Sequence, residues 1–131
     1  MRKRILPLIA TTAAALAATI ATATPAHAGT NGDASTIAGS GFTYNAGSVF
    51  FAHDGEIFYV EDNHADGAGV IAYWWIGNTY QGEMYNGLGG DTSKPFNKSV
   101  TDGLKVRFQI CVTDNGDVKT STCSPIASAI A

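Results

Sequence analysis

Short runs of β-branched and aromatic residues, separated by turn signals, fill most of the chain from Phe42 onward. Three pairs of such runs flank a glycine-containing turn signal, at 54–55, 77–78 and 114–117. The Asp54-Gly55 signal favours a two-residue hairpin, because a type I′ turn needs positive φ at both central positions. From Phe42 to the end, no stretch has a convincing helical period. The pattern therefore predicts an all-β fold.

Alternation along these runs predicts which faces are buried. In the run 105–113 one face is wholly apolar and is expected to face the core; it holds Val106, Phe108, Ile110 and Val112. The runs 56–62 and 70–76 carry aromatic or aliphatic side chains on both faces. Strands of that kind lie in the middle of a sandwich or under a partner. We therefore predict a small two-sheet antiparallel β-sandwich, with a small β-barrel as the alternative.

The stretch between Met84 and Val100 contains three glycines and one proline among polar residues. Glycine and proline interrupt regular structure, so we predict that this stretch is the longest loop of the domain. Such loops often carry function, although plain connection is the alternative.

The start of the chain has the organisation of an export signal. A basic cluster at 2–4 precedes an uncharged segment, 5–24, and Ala26 and Ala28 then supply the small residues of an A-x-A cleavage site. We therefore predict a signal peptide over 1–28, cleaved after Ala28, and a secreted, extracellular protein. A membrane anchor is the alternative, because the uncharged segment is about long enough to span a bilayer.

Cleavage leaves a single domain whose charge restricts its partners. We expect 29–41, rich in Gly, Ser and Thr, to be a flexible N-terminal arm, and 42–131 to form the β-sandwich domain. The mature part keeps five basic residues against eleven acidic ones. Nucleic acids and anionic membranes need clustered Lys and Arg, so we expect no nucleic-acid partner and no membrane partner after signal cleavage.

Both cysteines, Cys111 and Cys123, lie in the mature part and bracket a turn signal. Export delivers them to an oxidising compartment, which favours a disulfide bond between them. A metal site is the alternative. It would need further thiol or imidazole ligands, and the two mature histidines are distant in sequence.

A cluster of acidic residues, 61–67, could supply oxygen ligands to calcium. Asp62 and Asp66 stand at spacings that partly match the start of an EF-hand loop. His64 replaces the usual Asp or Asn, and Tyr73 stands where a bidentate Glu should close the site. The alternative is an acidic turn between two strands. Apart from this calcium site, we expect no cofactor.

The inventory of catalytic residue types is sparse. His53 and His64 could form an acid-base pair only if the fold brought them together, and Glu56 with Glu83 could serve glycoside hydrolysis only at a suitable separation. The chain has no G-x-S-x-G nucleophile motif. We therefore do not expect an enzyme.

The aromatic residues around the Trp74-Trp75 pair are the strongest candidates for ligand binding. Adjacent residues of a strand point to opposite faces, so the two indoles cannot enter the same core layer. If one face is solvent-exposed, Trp75, Tyr73 and Tyr80 form a ligand-binding surface for a protein or a carbohydrate, and Trp74 belongs to the core. If both faces are covered, all are core residues.

Three features of the chain are similar to those of a group of bacterial proteins. They are the Asp62-x-x-Ala65-Asp66-Gly67 turn, the strand from Val106 to Asp114 and the second cysteine, Cys123. Over 49–123 the chain resembles small secreted proteins of actinobacteria such as Streptomyces. The resemblance implies a compact single-disulfide β domain outside the cell, and it carries over no catalytic or binding residues.

These observations favour a secreted, non-catalytic binding or interaction domain. An inhibitor of an extracellular hydrolase is the second hypothesis, since a disulfide-linked hairpin could present 114–120 to an enzyme. A small extracellular hydrolase is the third.

Overall fold

The computed structural model describes residues 28–131, so all but the last residue of the predicted signal peptide lies outside it. The described chain is all-β, with one short 3₁₀ turn at Thr120–Thr122 and no α-helix between residues 28 and 131. The strands are β1 (Gly32–Ser35), β2 (Gly47–Ala52), β3 (Ile57–Asp62), β4 (Gly69–Ile76), β5 (Thr79–Asn86), β6 (Thr92–Asn97), β7 (Lys105–Asp114), β8 (Asp117–Lys119) and β9 (Ala127–Ile130).

The strands form two antiparallel sheets packed face to face. The first sheet has the order β1-β2-β3-β6. The second has the order β5-β4-β7, with β8 and β9 both paired to β7. The predicted β-sandwich is therefore confirmed, and the sheets do not close into a barrel.

The core lies between the inward faces of both sheets. Phe58 on β3 is at its centre, with ring centroids 4.7 Å from Phe51, 5.4 Å from Trp74 and 5.7 Å from Phe108. The predicted apolar face of β7 is fully buried, which confirms the alternation argument for that strand. The two strands that carry aromatic or aliphatic side chains on both faces, β3 and β4, are interior strands of their sheets, as predicted.

Two of the three predicted hairpins form as the sequence indicates. Gly77 and Asn78 join β4 to β5 in a two-residue connection. Asn115 and Gly116 join β7 to β8, and both have positive φ, 50° and 82°. Those values suit a two-residue turn that follows the twist of the paired strands.

The first hairpin forms, but its predicted type I′ turn is wrong. Four residues, 53–56, connect β2 to β3, and positive φ occurs at Gly55 and Glu56 rather than at Asp54 and Gly55. Ala52 still pairs with Ile57, so the register is the one expected from the Asp-Gly position.

Two further expectations are corrected by the structure. The segment predicted as a flexible arm contains β1, whose residue Ala34 is buried and pairs with Val49 of β2. The stretch predicted as the longest loop contains β6, in which Pro95 pairs with Tyr59. Since β6 is an edge strand, Pro95 costs the sheet no interior hydrogen bond.

The disulfide joins β7 to the segment between β8 and β9. The predicted Cys111–Cys123 bond is present, and it closes a sequence separation of 12. Beside it, the hydroxyls of Thr122 and Ser124 accept hydrogen bonds from the backbone N–H groups of Val112 and Ile110. Side chains therefore continue the hydrogen bonding of β7 from β8 towards β9, on the edge opposite β4.

Residues 28–131 contain no helix with the length and apolarity that a membrane crossing requires.

Candidate functional site

The second sheet turns an aromatic face away from the core. Strand pairing places three rows of side chains across it: Tyr80, Trp75 and Arg107; Glu83, Tyr73 and Gln109; and Tyr85, Ile71 and Cys111. We define the outer aromatic face as the side chains of Tyr73, Trp75, Tyr80, Glu83, Tyr85, Arg107 and Gln109. The three predicted ligand-binding residues, Tyr73, Trp75 and Tyr80, thus lie side by side.

The two tryptophans are separated by the sheet itself. Trp74 is 5% exposed and belongs to the core cluster, whereas Trp75 is half-buried on the opposite side. Of the two arrangements that the sequence left open, the structure therefore has the one with a single indole in the core. Trp75 packs against Tyr80, with ring centroids 5.8 Å apart and ring planes inclined by 56°.

A β-bulge sets this aromatic pair. Trp74 pairs with Gly82 and Trp75 pairs with Tyr80, so Gln81 is the extra residue on β5. Without the bulge Gln81 would stand opposite Trp75, because pairing would advance one residue at a time. The irregularity therefore brings a tyrosine, which is 51% exposed, next to the outward-facing indole.

Tyr85 is held against the other end of the face by glycine. A Cβ atom built on Gly69 would lie only 2.9 Å from Cε2 of Tyr85, and one on Gly87 would also collide with the ring. Both positions therefore need glycine for the ring to lie where it does. The ring remains 51% exposed, so it is fixed in position and open to a ligand.

Polar groups stand beside the rings. Arg107 donates through Nη1 to Oδ1 of Asn78 at 2.8 Å, which holds the guanidinium next to the Trp75 row. Burial, followed by the nearby Glu83 carboxylate, raises the pKa of Tyr73 and of Tyr80 above the usual value. Both phenols therefore stay neutral at physiological pH. The face combines neutral aromatic rings with one acid and one base.

The predicted calcium ligands take different positions. Asp62 is buried, and its Oδ1 accepts the backbone N–H of His64 at 3.3 Å, while Oδ2 has no hydrogen-bond donor among residues 28–131. Asp66 is exposed, and its Oδ1 accepts the N–H of Ala68 at 3.0 Å. Both carboxylates bond to backbone two residues ahead, as in an acidic turn. Within the described residues, no three His, Cys, Asp or Glu side chains form a group that could hold a metal ion.

The buried carboxylate of Asp62 has an altered acidity. Burial is the largest cause and raises its pKa from the usual value, Asp66 and Asp91 raise it further, and the His64 N–H opposes the shift. Within residues 28–131, no basic side chain is hydrogen-bonded to this carboxylate.

The structure keeps the other candidate pairs apart. His53 follows β2 at the hairpin turn, and His64 follows β3 at its opposite end, about 20 Å away for a strand of this length. Each imidazole has a local partner, Asn31 for His53 at 2.7 Å and Thr43 for His64 at 3.2 Å. Glu56 lies in a turn of the first sheet and Glu83 on the outer face of the second, so the carboxylates do not form a pair.

The sequence placed Tyr85 in the same aromatic set as Trp75, but it did not link Glu83, Arg107 and Gln109 to the Trp75 surface. Alternation alone already places Arg107 and Gln109 on the outward side of β7. The missing information was that β7 pairs with β4 and that Trp75 stands opposite Arg107, which depends on contacts between distant parts of the chain.

Comparison with known proteins gave no match: no family model fits the chain, and no curated protein or solved structure is significantly similar to it.

Proposed function

We propose that this chain is a secreted, non-catalytic binding domain that holds its ligand on the outer aromatic face. The observation that carries the proposal is the position of Trp75, which faces outward and packs against Tyr80 while its neighbour Trp74 is in the core. The indole of Trp74, on the core side of β4, holds that strand in place. The indole of Trp75, on the outer side, can then bind a ligand with little loss of conformational freedom.

The composition of the face supports binding. Tyrosine, tryptophan and arginine are the residue types that contribute most of the binding energy in recognition surfaces. Here Trp75, Tyr80 and Arg107 form a single row across three strands. The side chains of this row point away from the core, towards the surface on which a ligand would lie.

Local hydrogen bonds support the non-catalytic part of the proposal. His53, His64 and Asp66, three titratable groups that chemistry would need, each bond to a neighbouring amide, hydroxyl or backbone group. These contacts hold turns in place.

Two features support secretion. The disulfide bond suits an oxidising compartment. Ala28, the last residue before the predicted cleavage point, is exposed and lies two residues before Thr30, whose N–H donates to the carbonyl of Ile130 at 2.8 Å. The residue before the predicted cleavage point is therefore accessible and lies outside the strands.

The test is retention of extracellular material by the immobilised protein. Protein purified from the medium is coupled to resin, exposed to culture supernatant and to washed cell envelopes, and the retained protein and sugar are both quantified. Trp75→Ala is expected to lower retention about thirty-fold, which corresponds to roughly 2 kcal/mol. Tyr44→Ala is the matched control, since Tyr44 is a more exposed tyrosine, at 65%, outside the face. Equal retention by the Trp75→Ala variant would contradict the proposal.

A further inference from the structure

We infer that the ligand of the outer aromatic face is a neutral carbohydrate chain. This inference rests on the proposed function and names the chemical class of the ligand. It is carried by the alternation of aromatic rings with hydrogen-bonding side chains across the outer aromatic face, and by the balance of charge on that face.

The rings supply the apolar part of the recognition. Tyr80 and Tyr85 are each 51% exposed, and Trp75 is half-buried between its neighbours. A sugar ring has a face made of C–H groups, and that face packs on an aromatic ring without losing the hydrogen bonds of its hydroxyls. The buried Ile71 is the aliphatic residue of the three rows, so the accessible apolar surface is aromatic.

The middle row supplies the polar part. Glu83 and Gln109 flank Tyr73 on its two neighbouring strands. The carboxylate only accepts hydrogen bonds, whereas the amide both donates and accepts. Sugar hydroxyls are also donors and acceptors, so a ring that stacks on this surface finds a partner for hydroxyls on either edge.

The charge of the face favours a neutral ligand. Glu83 and Arg107 contribute one negative and one positive charge, and Asn78 holds the guanidinium in place. The mature domain is acidic, which disfavours polyanions. A protein partner is a poorer match, because glutamate is depleted from the centre of protein interfaces, and here Glu83 stands beside Tyr73 in the middle row.

The dimensions of the face favour a chain over a single sugar. The Trp75 and Tyr85 rows are four residues apart along β4, which is about 13 Å at the usual strand rise. One sugar ring cannot cover both rows. Affinity is therefore expected to increase with the number of sugar units until the ligand reaches from Trp75 to Tyr85.

The test is affinity electrophoresis of the secreted protein in native gels. The gels contain one neutral polymer each: soluble starch, xylan, mixed-linkage β-glucan, galactomannan or hydroxyethylcellulose. Polygalacturonate is the anionic control. We expect retardation by at least one neutral polymer, unchanged at high salt, and none by polygalacturonate. Oligosaccharides of increasing length from the retarding polymer should compete increasingly well.

Substitutions then locate the site. Trp75→Ala and Tyr80→Ala are each expected to weaken retardation at least ten-fold, a loss typical of an aromatic anchor of about 1.4 kcal/mol or more. Glu83→Gln keeps the shape of the side chain and should weaken retardation less, and Tyr44→Ala should have no effect. Thermal melts of each variant establish that it is folded.

The outcomes separate the two claims. If no neutral polymer retards the protein but Trp75-dependent retention of a protein partner is found, the carbohydrate inference is overturned and the proposed function stands. If neither is found, both are overturned. Retardation that survives both Trp75→Ala and Tyr80→Ala places the sugar elsewhere and also overturns the inference.

Discussion

Replacing Trp74 with alanine removes an indole that is 5% exposed from the packed interior of the sandwich. Its ring centroid lies 5.4 Å from that of Phe58, and the ammonium group of Lys98 lies 5.6 Å from it. Substitutions of buried tryptophan or phenylalanine by alanine cost about 3 to 5 kcal/mol, because they lose the transfer free energy of the ring and leave a cavity.

The same substitution at Trp75 has a much smaller cost. Its indole is partly exposed on the outer side of β4, where it packs against the tilted ring of Tyr80. An aromatic pair of this kind contributes about 0.5 to 1.5 kcal/mol. The pair of variants therefore differs by about 1.5 kcal/mol or more in free energy of unfolding, although the two residues are adjacent and identical.

Urea unfolding followed by far-ultraviolet circular dichroism measures both variants without relying on tryptophan fluorescence. A domain of this size has about 5 to 15 kcal/mol of stability, so Trp74→Ala should remove a large share of it. Its Tm should fall by more than about 12 °C, from roughly 4 °C for each kcal/mol. Equal destabilisation by the two substitutions would refute the assignment of Trp75 to an outward surface.

Four further outcomes are expected. Replacing both Cys111 and Cys123 with alanine should lower the free energy of unfolding in urea by about 3 kcal/mol, because the disulfide closes a separation of 12 residues. Before reduction, the cysteines of the wild-type protein should not react with an alkylating agent. The free energy of unfolding should rise as pH falls from neutrality towards the usual pKa of a carboxyl group, because the native state binds a proton at Asp62 more tightly than the unfolded chain does. Urea midpoints measured across pH should show this rise, and Asp62→Asn should flatten it. Chelation of calcium should leave Tm unchanged, since Asp62 and Asp66 bond to backbone N–H groups, and a fall in Tm would favour the calcium site instead. Mass spectrometry of the medium should find a protein that begins at Gly29, and a membrane-bound chain with an intact start would contradict export.

The elements that sequence reasoning predicted correctly have strong local signals. Asn115-Gly116 fits only a tight turn, and the apolar alternation of β7 leaves one choice for its buried face. The two strands that the sequence did not predict, β1 and β6, have weak local signals. β1 contains no large apolar residue, and β6 contains Pro95, because both are edge strands whose places depend on the neighbouring strand.

The site was predicted in part for the same reason. Alternation requires Trp74 and Trp75 to face opposite ways but does not say whether the Trp75 side of the strand is covered. The bulge that brings Tyr80 beside Trp75, and the pairing that brings Arg107 there, are set by long-range contacts. A sequence alone therefore names the aromatic residues of the face but not their neighbours.

The hydroxyls of Thr122 and Ser124 also affect how the molecule meets its own copies. They divide the border of the second sheet beyond β7 into β8, of three residues, and β9, of four. A neighbouring molecule that tried to add a strand there would find only these short strands, interrupted where the disulfide lies, and Thr30 already pairs with Ile130 of β9. This border therefore discourages edge-to-edge aggregation.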